Sequence, residues 1–185
     1  MAEARGRRDG GAEVLWAPWR MQYIEAPKPD GCIFCTPAEA SALRPALILG
    51  VTAHARVMLN KYPYNNGHLL IAPRRHTAQL AELPEDEFRD LMSLLRRAVA
   101  VVETALRPQG VNVGMNLGAS AGAGVTDHLH WHVVPRWIGD TNFMPVVGAV
   151  RVLPQHLLDS YDQLRPHFAP PAAAPEGEFR HSHQR

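Results

Sequence analysis

A chain of 185 residues, 46% hydrophobic and 20% charged, has the length and apolar content for one domain with a sizeable core, and no second domain is required. The formal net charge of +1 excludes a general nucleic-acid binder, which carries a strong basic excess, yet leaves single arginines able to meet a small polyphosphate. No run approaches the roughly 18 apolar residues of a membrane span. Residues 1–11 are charged without the apolar centre of a signal peptide, so a cytoplasmic protein with no membrane partner is expected.

In chain order, residues 1–12 are rich in Gly, Arg and acids and read as a flexible segment, followed by a folded domain over 13–168. Cys32-Ile33-Phe34-Cys35 has the spacing of half a zinc site; in a reducing compartment such a pair is ligands or free thiols rather than a disulfide. Strands are expected near 46–51, 55–60, 68–73, 111–117 and 128–135. One long helix is expected near 84–106, where Phe88, Leu91, Met92, Leu95, Val99, Val102 and Leu106 recur at three- and four-residue spacing. Glu85, Asp86 and Glu87 favour its start and Arg107-Pro108 its end. A shorter helix is expected after Pro154, and the Pro/Ala-rich stretch 169–185, with His181 and His183, reads as a flexible tail. Antiparallel strands joined by one long helix make the fold class α+β.

The chemistry concentrates in His128-Leu129-His130-Trp131-His132-Val133-Val134. On a strand the three imidazoles share a face while Leu129, Trp131 and Val133 point into the core. Histidines two apart lie about 6.6 Å from one another, and two positive charges there repel by about 2.5 kcal/mol at an effective dielectric near 20. At least one imidazole is therefore neutral at pH 7, available as nucleophile, base or metal ligand. The preceding stretch from Gly114 to Gly124 reads as a strand running into a glycine-rich loop, whose successive amides can converge on an anion.

The segment from His128 to Val134, with Pro135-Arg136 after it, resembles the His-φ-His-φ-His-φ-φ signature of the histidine triad (HIT) nucleotide hydrolases and transferases. The likeness covers roughly residues 30–165: Leu59-Asn60-Lys61-Tyr62-Pro63-Tyr64-Asn65-Asn66-Gly67-His68 and Leu69-Leu70-Ile71-Ala72-Pro73 are similar to the nucleotide-side strand pair and its turn. Leu15-Trp16-Ala17-Pro18-Trp19-Arg20 and Asn112-Val113-Gly114-Met115-Asn116-Leu117-Gly118 resemble the bacterial branch related to diadenosine tetraphosphate phosphorylases and fragile-histidine-triad hydrolases.

The resemblance implies a HIT-like fold, an antiparallel sheet with one long helix and a short C-terminal helix, assembled as a homodimer. It makes His130 the nucleophile at the α-phosphorus, His132 the group that helps the leaving oxygen depart, and His128 the residue that orients the array. Asn116, Gly122, Ala123, Gly124 and Thr126 fall where the α-phosphate is held, Asn60 where ribose hydroxyls are met, and His68 near the phosphates. Lys61, Arg74, Arg75 and Arg136 are candidates for polyphosphate charge, and residues 137–144 for a rim or lid. Zinc-binding relatives complete the cysteine pair with two histidines, here His76 and His128, giving a closed structural site on Cys32, Cys35, His76 and His128. Magnesium is expected only as a companion of the polyphosphate.

The implied function is cleavage of a dinucleoside polyphosphate, diadenosine tetraphosphate foremost, through a covalent nucleotidyl-histidine. Water is favoured as acceptor because Ala123-Gly124 stand where phosphorolytic relatives present a serine. Phosphorolytic ATP adenylyl transfer, nucleoside phosphoramidase activity, a non-catalytic nucleotide sensor and a catalytic zinc site on the three histidines remain the alternatives.

Overall fold

The computed structural model describes residues 31–37, 39–140 and 155–168. Five strands, β1 (Ile48–Val51), β2 (Ala55–Leu59), β3 (Leu69–Pro73), β4 (Gly110–Met115) and β5 (Trp131–Arg136), form one antiparallel sheet in the order β1-β2-β3-β5-β4. Among the described residues the α-helices are a single turn α1 (Ala40–Leu43), the long α2 (Glu85–Leu106) and α3 (Leu157–Phe168). The α+β class is as expected, and the helix after Pro154 is α3. The Trp16 motif, the segments 1–12 and 169–185, and all but the first four residues of the expected rim at 137–144 lie outside the described residues.

Strands β2 and β3 are buried on both faces while the edge strand β4 is largely exposed, and period-two alternation decides which residue goes where. Leu49, Val57, Leu59, Leu69, Ile71 and Val133 face α2 and α3 and pack with Leu91, Leu94, Leu95, Ala98, Val102, Tyr161 and Leu164. The buried stripe of α2 is thus centred on Leu91, Leu94, Leu95, Ala98 and Val102, a rotation from the expected stripe that leaves Phe88, Met92, Val99 and Leu106 half-buried. A helix lying across β2, β3 and β5 buries the face its crossing selects, and small Ala98 lets it approach closely. The other face carries Ile48, Met58, Leu70 and Ala72 under Phe34, and it is the face that holds the histidines.

The turn between β2 and β3 is tied down at both ends. Asn65 Nδ2 donates to the Pro135 carbonyl at 3.1 Å and to Asp140 at 2.6 Å, and the backbone of Asn60 donates to the His68 carbonyl at 2.9 Å. Gly67, at φ +70°, needs to be glycine: a Cβ there would stand 2.2 Å from Leu106 Cδ1. The close approach of α2's end to this turn brings His68 into place.

Candidate active site and metal centre

The triad is only partly a strand. Ladder pairing begins at Trp131, so of the three histidines only His132, opposite Leu70 of β3 and Gly114 of β4, is a sheet residue. The expected strand from 128 gives way to an extended lead-in because the amide of Leu129 donates to the Thr77 carbonyl at 2.8 Å, outside the sheet. His128 therefore diverges from its neighbours. The rings of His130 and His132 meet edge to face at 5.0 Å, whereas His128 lies 5.1 Å from His76.

Hydrogen-bond partners assign the ring protons. His130 Nδ1 lies 2.9 Å from the His128 carbonyl, which can only accept, so Nδ1 carries the proton and Nε2 the lone pair. The amide of Tyr64 donates to His68 Nδ1 at 3.0 Å, with Asn60 Nδ2 3.3 Å away. His68 Nε2 must then carry its proton and donate it to His132 Nδ1 at 2.9 Å, which leaves the His132 proton on Nε2. The site thus pairs a bare nitrogen on His130 with an N–H on His132.

Burial favours the neutral form of His130 and His128. It pushes the His130 pKa below the usual imidazole value and takes His128 down to about 4, with His76, Arg56 and His130 adding repulsion against a bond to the Pro73 carbonyl that favours the charged form. The neutrality inferred from charge spacing holds, but desolvation is its first cause.

The remaining expected residues divide. Asn60 sits beside His68 with its Oδ1 accepting the Tyr62 amide at 2.9 Å, so its carboxamide also shapes the turn. Asn116 Nδ2 donates to the Gly122 carbonyl at 3.3 Å and holds the loop that closes over a 3₁₀ turn at Ala119–Ala121. In that loop the amides of Gly122 and Ala123 bond to Ala119 and Gly118 carbonyls, which in this conformation engages two of the three loop amides, Gly122 to Gly124, expected at the phosphate. The Thr126 hydroxyl donates to Asp127. Arg75 is held bidentate by Glu87, Arg136 by Asp140 with Asn112, and Arg74 by the Ala53 carbonyl. Of the four expected polyphosphate cations, these three are therefore engaged in the fold, while Lys61 lies over the Tyr62 ring.

Cys32, Cys35, His76 and His128 converge as expected, their ligand atoms all within 4.8 Å of one another. His128 Nδ1 is 3.3 Å from Cys32 Sγ, 3.6 Å from Cys35 Sγ and 3.2 Å from His76 Nδ1, and Cys35 Sγ is 3.3 Å from His76 Nδ1. A tetrahedral ion with bonds of about 2.3 Å to sulfur and about 2.0 Å to nitrogen sets its ligand atoms about 3.3–3.8 Å apart, so the donor set fits a closed four-ligand centre. The proton of His128 is on Nε2, donated to the Pro73 carbonyl at 2.9 Å, which aims a lone pair on Nδ1 into the cluster. Arg56 Nη1 donates to the Thr36 carbonyl at 2.6 Å and anchors the far end of the cysteine turn to β2.

Two residues at the site escaped the sequence reading. Phe34, between the cysteines and with no exposed surface, stacks on His130 at 4.9 Å and lies 5.1 Å from His128. Tyr64 covers His68 at 4.7 Å and stacks on His132 at 5.9 Å. Both sit inside segments already singled out, but an aromatic in an apolar context carries no periodic signal that separates site from core.

Comparison with known proteins places this geometry. A family model, the HIT domain, matches residues 43–137. An AP-4-A phosphorylase of Mycobacterium tuberculosis is 41% identical over 163 residues, spanning 84% of this chain and 83% of its own length. An adenosine 5'-monophosphoramidase of Schizosaccharomyces pombe is 32% identical over 105 residues, spanning 57% of this chain and 74% of its own. The crystal structure of a Zn-bound histidine triad family protein from Mycobacterium smegmatis superposes with a TM-score of 0.56 at 23% identity, covering 75% of this chain and 93% of that one, a likeness of fold.

Proposed function

The chain belongs to the HIT domain family, and from that premise we propose that it cleaves a dinucleoside polyphosphate by nucleotidyl transfer through His130. One observation carries the reading: the bare Nε2 of a neutral, buried His130 stands beside an imidazole whose N–H is fixed by His68. His130 Nε2 attacks the α-phosphorus, the P–O bond to the remaining polyphosphate breaks, and the leaving oxygen departs as an anion whose developing charge is met by a hydrogen bond from the His132 N–H. In the second step an oxygen of the acceptor attacks the same phosphorus, the P–N bond breaks and its electron pair returns to His130 Nε2; an anionic phosphate oxygen brings no proton to remove, whereas water passes its proton to solvent.

The acceptor in this proposal is inorganic phosphate, supported by the phosphorylase name of the relative that spans 84% of the chain. Water is the second reading, favoured by Ala123-Gly124 offering no side-chain hydroxyl to an incoming anion. Products from diadenosine tetraphosphate with and without millimolar phosphate separate them: ADP with ATP supports phosphorolysis, AMP with ATP hydrolysis. His130→Ala should abolish either while AMP still binds. Turnover within tenfold of wild type would remove His130 from the chemistry.

Zinc belongs to the same proposal, held by Cys32, Cys35, His76 and His128, a fit supported by the ligand spacing and by the zinc-bound M. smegmatis protein of the same fold. Four protein ligands would leave such an ion no open position for an activated water, and its contribution would be to folding. A homodimer completes it, in line with the family resemblance; the edge strand β4, with Val113 46% exposed, is a surface a second copy would cover.

A further inference from the structure

We propose that Phe34 is a positioning residue for the nucleophile, and that the metal centre acts on the reaction by holding Phe34 against His130. The inference rests on the His130 reading above but assigns a role to a residue outside both the triad and the ligand set. Phe34 lies between Cys32 and Cys35 in a 3₁₀ turn of three residues, so its ring is carried by a segment whose two ends are both ligands. That ring stacks on His130 with centroids 4.9 Å apart and planes 28° from parallel, and it is wholly buried, so its contacts are with the histidines and the second core rather than with a substrate.

Two links therefore run from the ligand set to His130. The carbonyl of His128 holds His130 Nδ1–H at 2.9 Å and fixes which nitrogen is bare. Phe34 fixes the plane of the ring about that bond, and so the direction in which Nε2 points. A single hydrogen bond leaves an imidazole free to swing around it, and a stacked aromatic removes that freedom. Without an ion the thiols and Nδ1 atoms have no common partner, and the turn is left to the burial of Phe34 among Ile48, Met58, Leu70 and Ala72 and to Arg56 on the Thr36 carbonyl. In-line attack on phosphorus is sensitive to a misdirection of this kind, where displacements of about an ångström cost on the order of 100-fold.

The test is a cycle of metal removal against Phe34→Leu, a variant that keeps an apolar side chain in the second core. In the metal-loaded protein, Phe34→Leu should retain one ion per chain and lower kcat by about 10- to 100-fold with KM within roughly threefold. Chelator-treated wild type should fall to a similar level, and chelation of Phe34→Leu should cost less than about threefold more. Equal factors for metal removal in the two backgrounds, or a Phe34→Leu kcat within threefold of wild type, overturn the proposal. So does protein purified without an ion.

A readout independent of turnover keeps this distinct from the fate of the proposed reaction. Ring ¹⁵N and ¹H spectra of His130 in the loaded protein should show one fixed ring with the proton on Nδ1, and in loaded Phe34→Leu a ring averaged between orientations. If diadenosine tetraphosphate is not cleaved but the spectra change in this way, the positioning role stands while the function falls. Identical His130 spectra in the two proteins would sink the positioning role whatever the activity.

Discussion

Replacing His68 by alanine tests the imidazole pair that sets the His132 proton. His68 has no exposed surface, accepts the Tyr64 amide at 3.0 Å and donates to His132 Nδ1 at 2.9 Å. His68→Ala removes the acceptor of the Tyr64 amide, and the loss of a wholly buried ring leaves a cavity, so about 2–4 kcal/mol of stability should go in total. For a domain of this size that lowers Tm by roughly 5–15 °C. The catalytic loss has a different ceiling. A single donor to developing charge contributes on the order of 10²- to 10³-fold, and freeing the His132 ring forfeits part of it, about 10- to 100-fold in kcat with KM nearly unchanged. The assay is steady-state cleavage of diadenosine tetraphosphate by His68→Ala, His132→Ala and the double variant, at a temperature where all remain folded. If His68 acts through His132, the double variant is no worse than His132→Ala. Losses that multiply would refute the reasoning, because they would show two imidazoles acting independently.

Three further outcomes follow from the same geometry. Gly67→Ala places a methyl against Leu106 at a positive φ and should lower stability by about 1–3 kcal/mol, measured by urea unfolding; an unchanged midpoint would mean that the turn is not pinned by α2. In chelator-treated protein His128 is held neutral to about pH 4, whereas in the unfolded chain it takes up a proton below about 6.5. The unfolded state then binds more protons in that window, so stability should fall as pH drops from about 6.5 to 4, and a flat Tm across it would contradict the burial of a neutral ring. Cys35→Ser should lose the metal, read by elemental analysis, and lower thermal stability; full metal retention would take Cys35 out of the ligand set.

Much of this protein can be read along the chain because its signals are local. The short, mostly apolar runs at Ala55–Leu59 and Leu69–Pro73, the long helix ended by Arg107-Pro108, and the spacing of Cys32 with Cys35 depend on neighbours a few residues apart. The three alternating histidines likewise announce a site whatever surrounds them. The family resemblance supplied His76 and His128 as the missing half of the metal cluster, which the fold then brought together across 41 to 96 residues.

Other features depend on partners far away in the chain, and only the tertiary structure decided them. The Thr77 carbonyl captures the Leu129 amide and turns His128 out of the strand, so a motif that looks like one row of three rings is a pair plus a third ring that joins Cys32, Cys35 and His76. Arg75 and Arg136, indistinguishable in sequence from phosphate-binding arginines, are claimed by Glu87 and Asp140. Phe34 looks like any core aromatic until the sheet sets it against His130. Pattern along a chain reports which face a side chain takes. What meets it there is set by the packing of segments that sequence distance does not relate, and the chemistry of the site resides in those meetings.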